Sequence, residues 1–150
     1  LMGAKLGLEA FTADDLPFLD ELLQIMQVEK IDWTYFWRKL SYGSTGISQL
    51  SCDYPSLALG NWFAKLIARY EGTKLTSQQR QEQMLAVNPA IVLRSHLVQY
   101  AIDRAEHGNY HEIERLFQAL SKPFTELAEF SDYYKVAPDW SAHIVLSCSS

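Results

Sequence analysis

The stretch "VNPAIVLRSHLVQYAIDRAEHGN", Val87 to Asn109, decides the fold class. Asn88 is an N-cap residue type, and Pro89 sits where a helix tolerates a missing N–H, at its first position. Gly108 stands where a helix stops. Between these signals Ile91, Val92, Leu93, Leu97, Val98, Ala101, Ile102 and Ala105 spread over more than one face. A helix that apolar is predicted to be central and touched from several sides. Arg94 interrupts its apolar start. Its side chain either snorkels to the surface or meets a carboxylate in a bidentate pair that ties another segment to the helix.

Helical spacing recurs on both sides of this segment. Asp14 or Asp15 can cap a helix with Pro17 in its first turn, and Leu19, Leu22, Leu23 and Met26 follow the i, i+3, i+4, i+7 rule. Asp32 caps the next helix, in which Trp33, Phe36, Trp37 and Leu40 share a face and Arg38 and Lys39 point elsewhere. Ser41 to Ser56, with two glycines, a proline and five serines, is predicted to be the longest loop. Leu59, Trp62, Phe63, Leu66, Ile67 and Tyr70 mark another amphipathic helix stopped at Gly72, and Thr76 opens a polar one. Ile113, Leu116, Phe117 and Leu120 mark the last, and Pro123 follows it. Beyond Pro123 the pattern weakens into loop, with "HIVLSC" β-like at most. The expected fold is all-α: an irregular bundle of five to six helices in a single domain, residues 1–150, with an extended, loop-rich tail over 123–150.

Composition bounds the function. The chain has 150 residues, 48% of them hydrophobic, and a net charge of −5. Its basic residues are scattered, which argues against a nucleic-acid partner. No apolar run approaches the roughly 20 residues of a membrane span, and no signal-peptide pattern is visible. A start at Leu1-Met2-Gly3 reads as a fragment or a processed product of a larger protein. Cys52 and Cys148 are too few for a disulfide scaffold, so two free thiols in a reducing, cytoplasmic setting are expected.

Few residues suggest chemistry. His107 and His111 are four apart, but Gly108 and Asn109 break the helix between them, so no metal site is assigned. Asp14, Asp15, Asp20 and Glu21 suit a helix N-terminus better than acid–base work. No phosphate-binding glycine motif and no nucleophile elbow occurs. No catalytic residue is assigned.

Several ordered stretches, however, resemble one family. "KLGL" (Lys5 to Leu8), "FWRKLS" (Phe36 to Ser41), "NPAIVLR", "AIDRAEHGNY", "APDW" and the terminal "SCSS" are similar to the C-terminal part of the selenoprotein O family, which includes the bacterial YdiU proteins. Ser95 and Ala137 depart from the family pattern. The resemblance implies a parent with a kinase-like fold that transfers AMP from ATP to protein hydroxyls with Mg²⁺. The nucleotide and metal residues of that family match no position here. It also implies that Cys148 holds the place of the selenocysteine of animal members, as a redox-capable thiol. Cys52, in the predicted loop, is the possible resolving partner on the residues alone. On this reading the chain supports an upstream kinase-like domain, whose substrates are proteins, and exposes an apolar face toward it. The alternative is a stand-alone helical protein-interaction module without enzymatic activity.

Overall fold

The computed structural model describes residues 1–144; Cys148 and most of "HIVLSC" lie outside the described residues. Eight α-helices and three 3-10 helices occur among them, and no β-strand. The fold is all-α. The chain divides into two compact units, Leu1–Pro89 and the part from Ala90 onward.

The first unit holds α1 (Met2–Leu6), α2 (Leu16–Val28), α3 (Trp33–Leu40), α4 (Gly43–Asp53), α5 (Leu57–Glu71) and α6 (Ser77–Val87). Local signals set most boundaries. Thr12 and Asp15 form a capping box ahead of α2, with Pro17 in its first turn. The Asp32 carboxylate accepts from Tyr35 N at 3.1 Å at the start of α3. Ser56 caps α5, and Thr76 and Gln79 cap α6 reciprocally. The apolar faces of these helices converge on one cluster. Leu22, Phe36, Trp37, Leu40, Leu59 and Trp62 are all at most 1% exposed. Phe18 stacks on Trp62 with ring centroids 4.7 Å apart, and the Trp62 indole N–H donates to the Phe18 carbonyl at 3.0 Å. Truncating a ring so enclosed costs about 3–5 kcal/mol.

The predicted loop over residues 41–56 is instead mostly α4. Its glycines serve packing. Gly43 turns the chain at φ 62, a region that favours glycine. Gly46 lets α4 press against the end of α3, because a Cβ there would run into the Lys39 carbonyl oxygen. Leu50 is fully buried in the core. Ser51 bonds back to the Ile47 carbonyl at 2.9 Å, which accommodates its hydroxyl within the helix.

The second unit contains α7 (Ser95–Glu106), α8 (His111–Leu120) and 3-10 helices at Ala128–Tyr134 and Asp139–His143. The helix predicted from Pro89 begins only at Ser95. The preceding residues stay extended because the Pro123 carbonyl accepts from both Ala90 N (2.8 Å) and Ile91 N (3.3 Å). Of α7 only Leu97 and Ala101 are buried, so it is not the enclosed helix that its composition predicts. Gly108, at φ 77, ends the α7 turn as expected. Its N–H donates to Ala105 O and that of Asn109 to Arg104 O, which satisfies two terminal carbonyls. The core here is small: Ile91, Leu97, Ala101, Leu116, Ala119, Phe130 and Tyr133. Arg115 adds a polar clamp. It binds both carboxylate oxygens of Asp132, at 2.9 and 2.6 Å, and fixes the first 3-10 helix beside α8.

Candidate functional site

Four side chains from three separate stretches of sequence meet in the first unit. Asn88 is fully buried at the end of α6. Its amide nitrogen donates to Lys5 O (3.1 Å) and Ser41 Oγ (3.0 Å). Its amide oxygen accepts from Lys5 Nζ at 3.0 Å. Its main-chain carbonyl accepts from Arg38 Nη1 at 3.0 Å. Ser41 in turn donates to Trp37 O at 2.8 Å. The Lys5 ammonium lies 5.6 Å from the Trp37 ring centroid, and burial pulls its pKa below the ordinary lysine value. The group joins α1, the α3–α4 corner and the end of α6.

This overturns two expectations. Asn88 caps no following helix; it is a hub. Arg38, predicted to point away from the core, is 6% exposed and also lies over the Tyr42 ring. The apolar spacing of α3 hides this, because the acceptors for Arg38 come from α6, some fifty residues on.

Arg80 is a second buried guanidinium that the pattern of its polar helix did not signal. It is 8% exposed. Its Nε donates to Gly7 O (3.1 Å), and its Nη2 to Thr73 Oγ1 (2.6 Å), Leu75 O and Tyr70 O. The guanidinium sits 3.9 Å from the Tyr70 ring centroid. Two of its acceptors, Gly7 O and Tyr70 O, are carbonyls at the C-terminal ends of α1 and α5, where a cation is favoured. Gly7 permits the arrangement: it adopts φ 69, and a Cβ there would lie 2.6 Å from Arg80 Cγ. Burial pushes the Tyr70 hydroxyl up from its usual pKa, and that hydroxyl donates to Leu6 O.

Beside these groups lies a cleft of about 670 Å³, lined by Tyr42, Thr45, Ile67, Tyr70 and Arg80 among others. Its size suits a small ligand. The Arg80 nitrogens that make bonds are committed to protein oxygens, so its cation acts first as a tie between helices.

In the second unit Arg94 caps α7 in extended conformation and reaches the 3-10 segment. It donates to Lys135 O at 3.0 Å and to Tyr133 O. It ties another segment to the helix, as expected, but these two acceptors are carbonyls rather than a carboxylate. Tyr133 donates to Glu112 at 2.5 Å, and burial holds its hydroxyl above its usual pKa.

The remaining sequence candidates are dispersed. Cys52 is exposed on α4, not in a loop. Cys148 lies outside the described residues, so its pairing with Cys52 does too. His107 and His111 flank the Gly108 turn. Among the described residues no group of three or more His, Cys, Asp or Glu side chains could hold a metal ion. No helix among them is long and apolar enough to cross a membrane.

Known proteins bear on this arrangement. No family model matches the chain. It is 39% identical over 153 residues to a protein nucleotidyltransferase YdiU of Pseudomonas entomophila, with all of this chain and 32% of that protein covered. It is 40% identical over 154 residues to the protein of that name from Pseudomonas fluorescens, with the same coverage. With that of Klebsiella pneumoniae it shares 40% over 156 residues, covering 99% of this chain and 31% of the relative. The chain thus spans about a third of the length of the curated relatives it matches.

Proposed function

The chain belongs to the YdiU family, and we propose that it is the C-terminal helical region of a protein nucleotidyltransferase, supporting a kinase-like catalytic body supplied by the rest of the polypeptide. The observation that carries this reading is the match along the whole chain to one third of each relative. The positions of the resembling stretches support it. "KLGL", "FWRKLS" and the start of "NPAIVLR" meet at Lys5, Ser41, Arg38 and Asn88. The end of "NPAIVLR" is Arg94, which secures the segment before "APDW". "AIDRAEHGNY" contains the Gly108 turn. These are joints of a scaffold, and they suit a supporting role.

In the whole protein, a substrate hydroxyl oxygen attacks the α-phosphorus of ATP. The bond from that phosphorus to the bridging oxygen breaks, pyrophosphate leaves, and the hydroxyl proton passes to a base in the catalytic body. ATP and Mg²⁺ belong to that body, and no residue of this chain is assigned to hold them. Cys148 is the redox-capable thiol, and Cys52 is its possible partner within this chain, exposed enough to react. The full-length polypeptide, given ATP labelled at the α-phosphate and Mg²⁺, is expected to place label on protein. Label arriving only from the γ-phosphate would make it a kinase, and none from either would leave the interaction-module reading. Intact mass under oxidising and reducing conditions, with and without Cys148→Ser, tests the thiol. A loss of about 2 Da per disulfide on oxidation that Cys148→Ser abolishes is expected.

A further inference from the structure

We infer that the outer stripe of α8 and its N-cap, Tyr110, Ile113 and Phe117, is the surface on which the remaining two thirds of the same polypeptide docks. This rests on the reading of the chain as part of a longer nucleotidyltransferase. The three side chains fall at helical spacing 0, 3 and 7 and so share one face. They are 62%, 44% and 74% exposed. The adjoining flank of α8 is already used, through Leu116 and Ala119, in the core of the second unit. α8 therefore has one broad apolar face, of which one flank is covered by its own unit and the other is open to a second body.

The second unit is also short of core. Among its described residues more large apolar side chains stand exposed than buried, including Leu93, Phe124 and Trp140. Apolar side chains grouped on one face mark an interaction surface. The occupant follows from length: the relatives carry about twice as much chain again as this segment, all on one polypeptide. A covalently attached body meets the stripe at high effective concentration and needs only modest contact area. Glu114 stands exposed one turn from Tyr110 and within the same flank, so the docking surface is expected to bring Lys or Arg to its rim.

Hydroxyl-radical footprinting of the full-length protein tests this, each side chain being compared with the same residue in the urea-unfolded chain. Tyr110 and Phe117 are expected to be oxidised far more slowly than in the unfolded chain, because the core of an interface packs as densely as a protein interior. In the full-length Phe117→Glu variant that protection of Tyr110 is lost, whereas Gln118→Glu, exposed on the same helix outside the stripe, retains it. Oxidation of wild-type Phe117 and Tyr110 at near-unfolded rates would overturn the inference. So would protection that disappears on dilution, which would make the occupant a second copy. Label transfer from α-labelled ATP by the same preparation separates the two claims: transfer with an unprotected stripe refutes the docking surface alone, and protection without transfer refutes the enzymatic reading alone.

Discussion

Asn88 illustrates how a single amide can hold three helices. Its side chain makes two donated bonds and accepts one, with no exposure to water that could replace them. Asn88→Ala removes these bonds and leaves Ser41 and the Lys5 carbonyl short of a donor. Its expected cost is about 2–4 kcal/mol, read from urea unfolding at neutral pH, since each orphaned buried group costs about 1–3 kcal/mol. A loss below half a kcal/mol would show that water repairs the gap. At Gly7 the constraint is backbone conformation together with the Arg80 side chain. Neither residue is recognisable as a hub from local sequence. Asn88 precedes proline and resembles an N-cap, and its partners Lys5 and Ser41 lie 83 and 47 residues away. The stretches holding Lys5, Arg38, Ser41 and Asn88 resemble parts of one family, and in the structure they meet.

Among the helices, α4 shows how glycine can carry two opposite meanings. Gly46 sits against the Lys39 carbonyl, which is main chain and cannot swing aside. Gly60, within α5, has open space where a Cβ would go. Gly46→Ala is therefore expected to separate α3 from α4 and lower the melting temperature. Gly60→Ala is expected to raise stability by about 0.5–1 kcal/mol through helix propensity. Similar effects at both positions would contradict the packing of α4. The same contrast explains why α4 was not legible: composition alone reads Gly and Ser as loop, and only the tertiary partner reverses that. The extended segment before α7 escaped for a like reason, since its acceptor is the distant Pro123 carbonyl. Caps at Asp32 and Thr76 and the stop at Gly108 were legible because each signal acts within one turn.

The Arg115–Asp132 clamp gives the second unit a pH response. The Arg115 guanidinium beside it holds the Asp132 carboxyl below its ordinary pKa. A carboxylate with a depressed folded-state pKa stabilises above its unfolded value and loses that contribution as pH falls through the folded one. The unit is thus expected to hold the 3-10 segment at neutral pH and loosen below about pH 4. Asp132→Asn should make its unfolding less sensitive to acid over that range. Because Asp132 is half exposed, the effect is a modest shift.

Across the whole molecule, the buried cations Arg38 and Arg80 and the polar cluster at Asn88 serve to bind helices together. The composition, a moderate acidic charge and ample apolar content, is that of a globular chain. The all-α class was legible from periodicity alone. The proposed supporting role was not legible from periodicity; it rests on the resemblance and on where the resembling stretches meet. If that role is right, nucleotide chemistry resides in the rest of the polypeptide. Isothermal titration of ATP with Mg²⁺ into the 150-residue chain, its helical far-UV signal checked first, tests this most directly. The account predicts no saturable heat at millimolar nucleotide; saturable binding at micromolar concentration would contradict it.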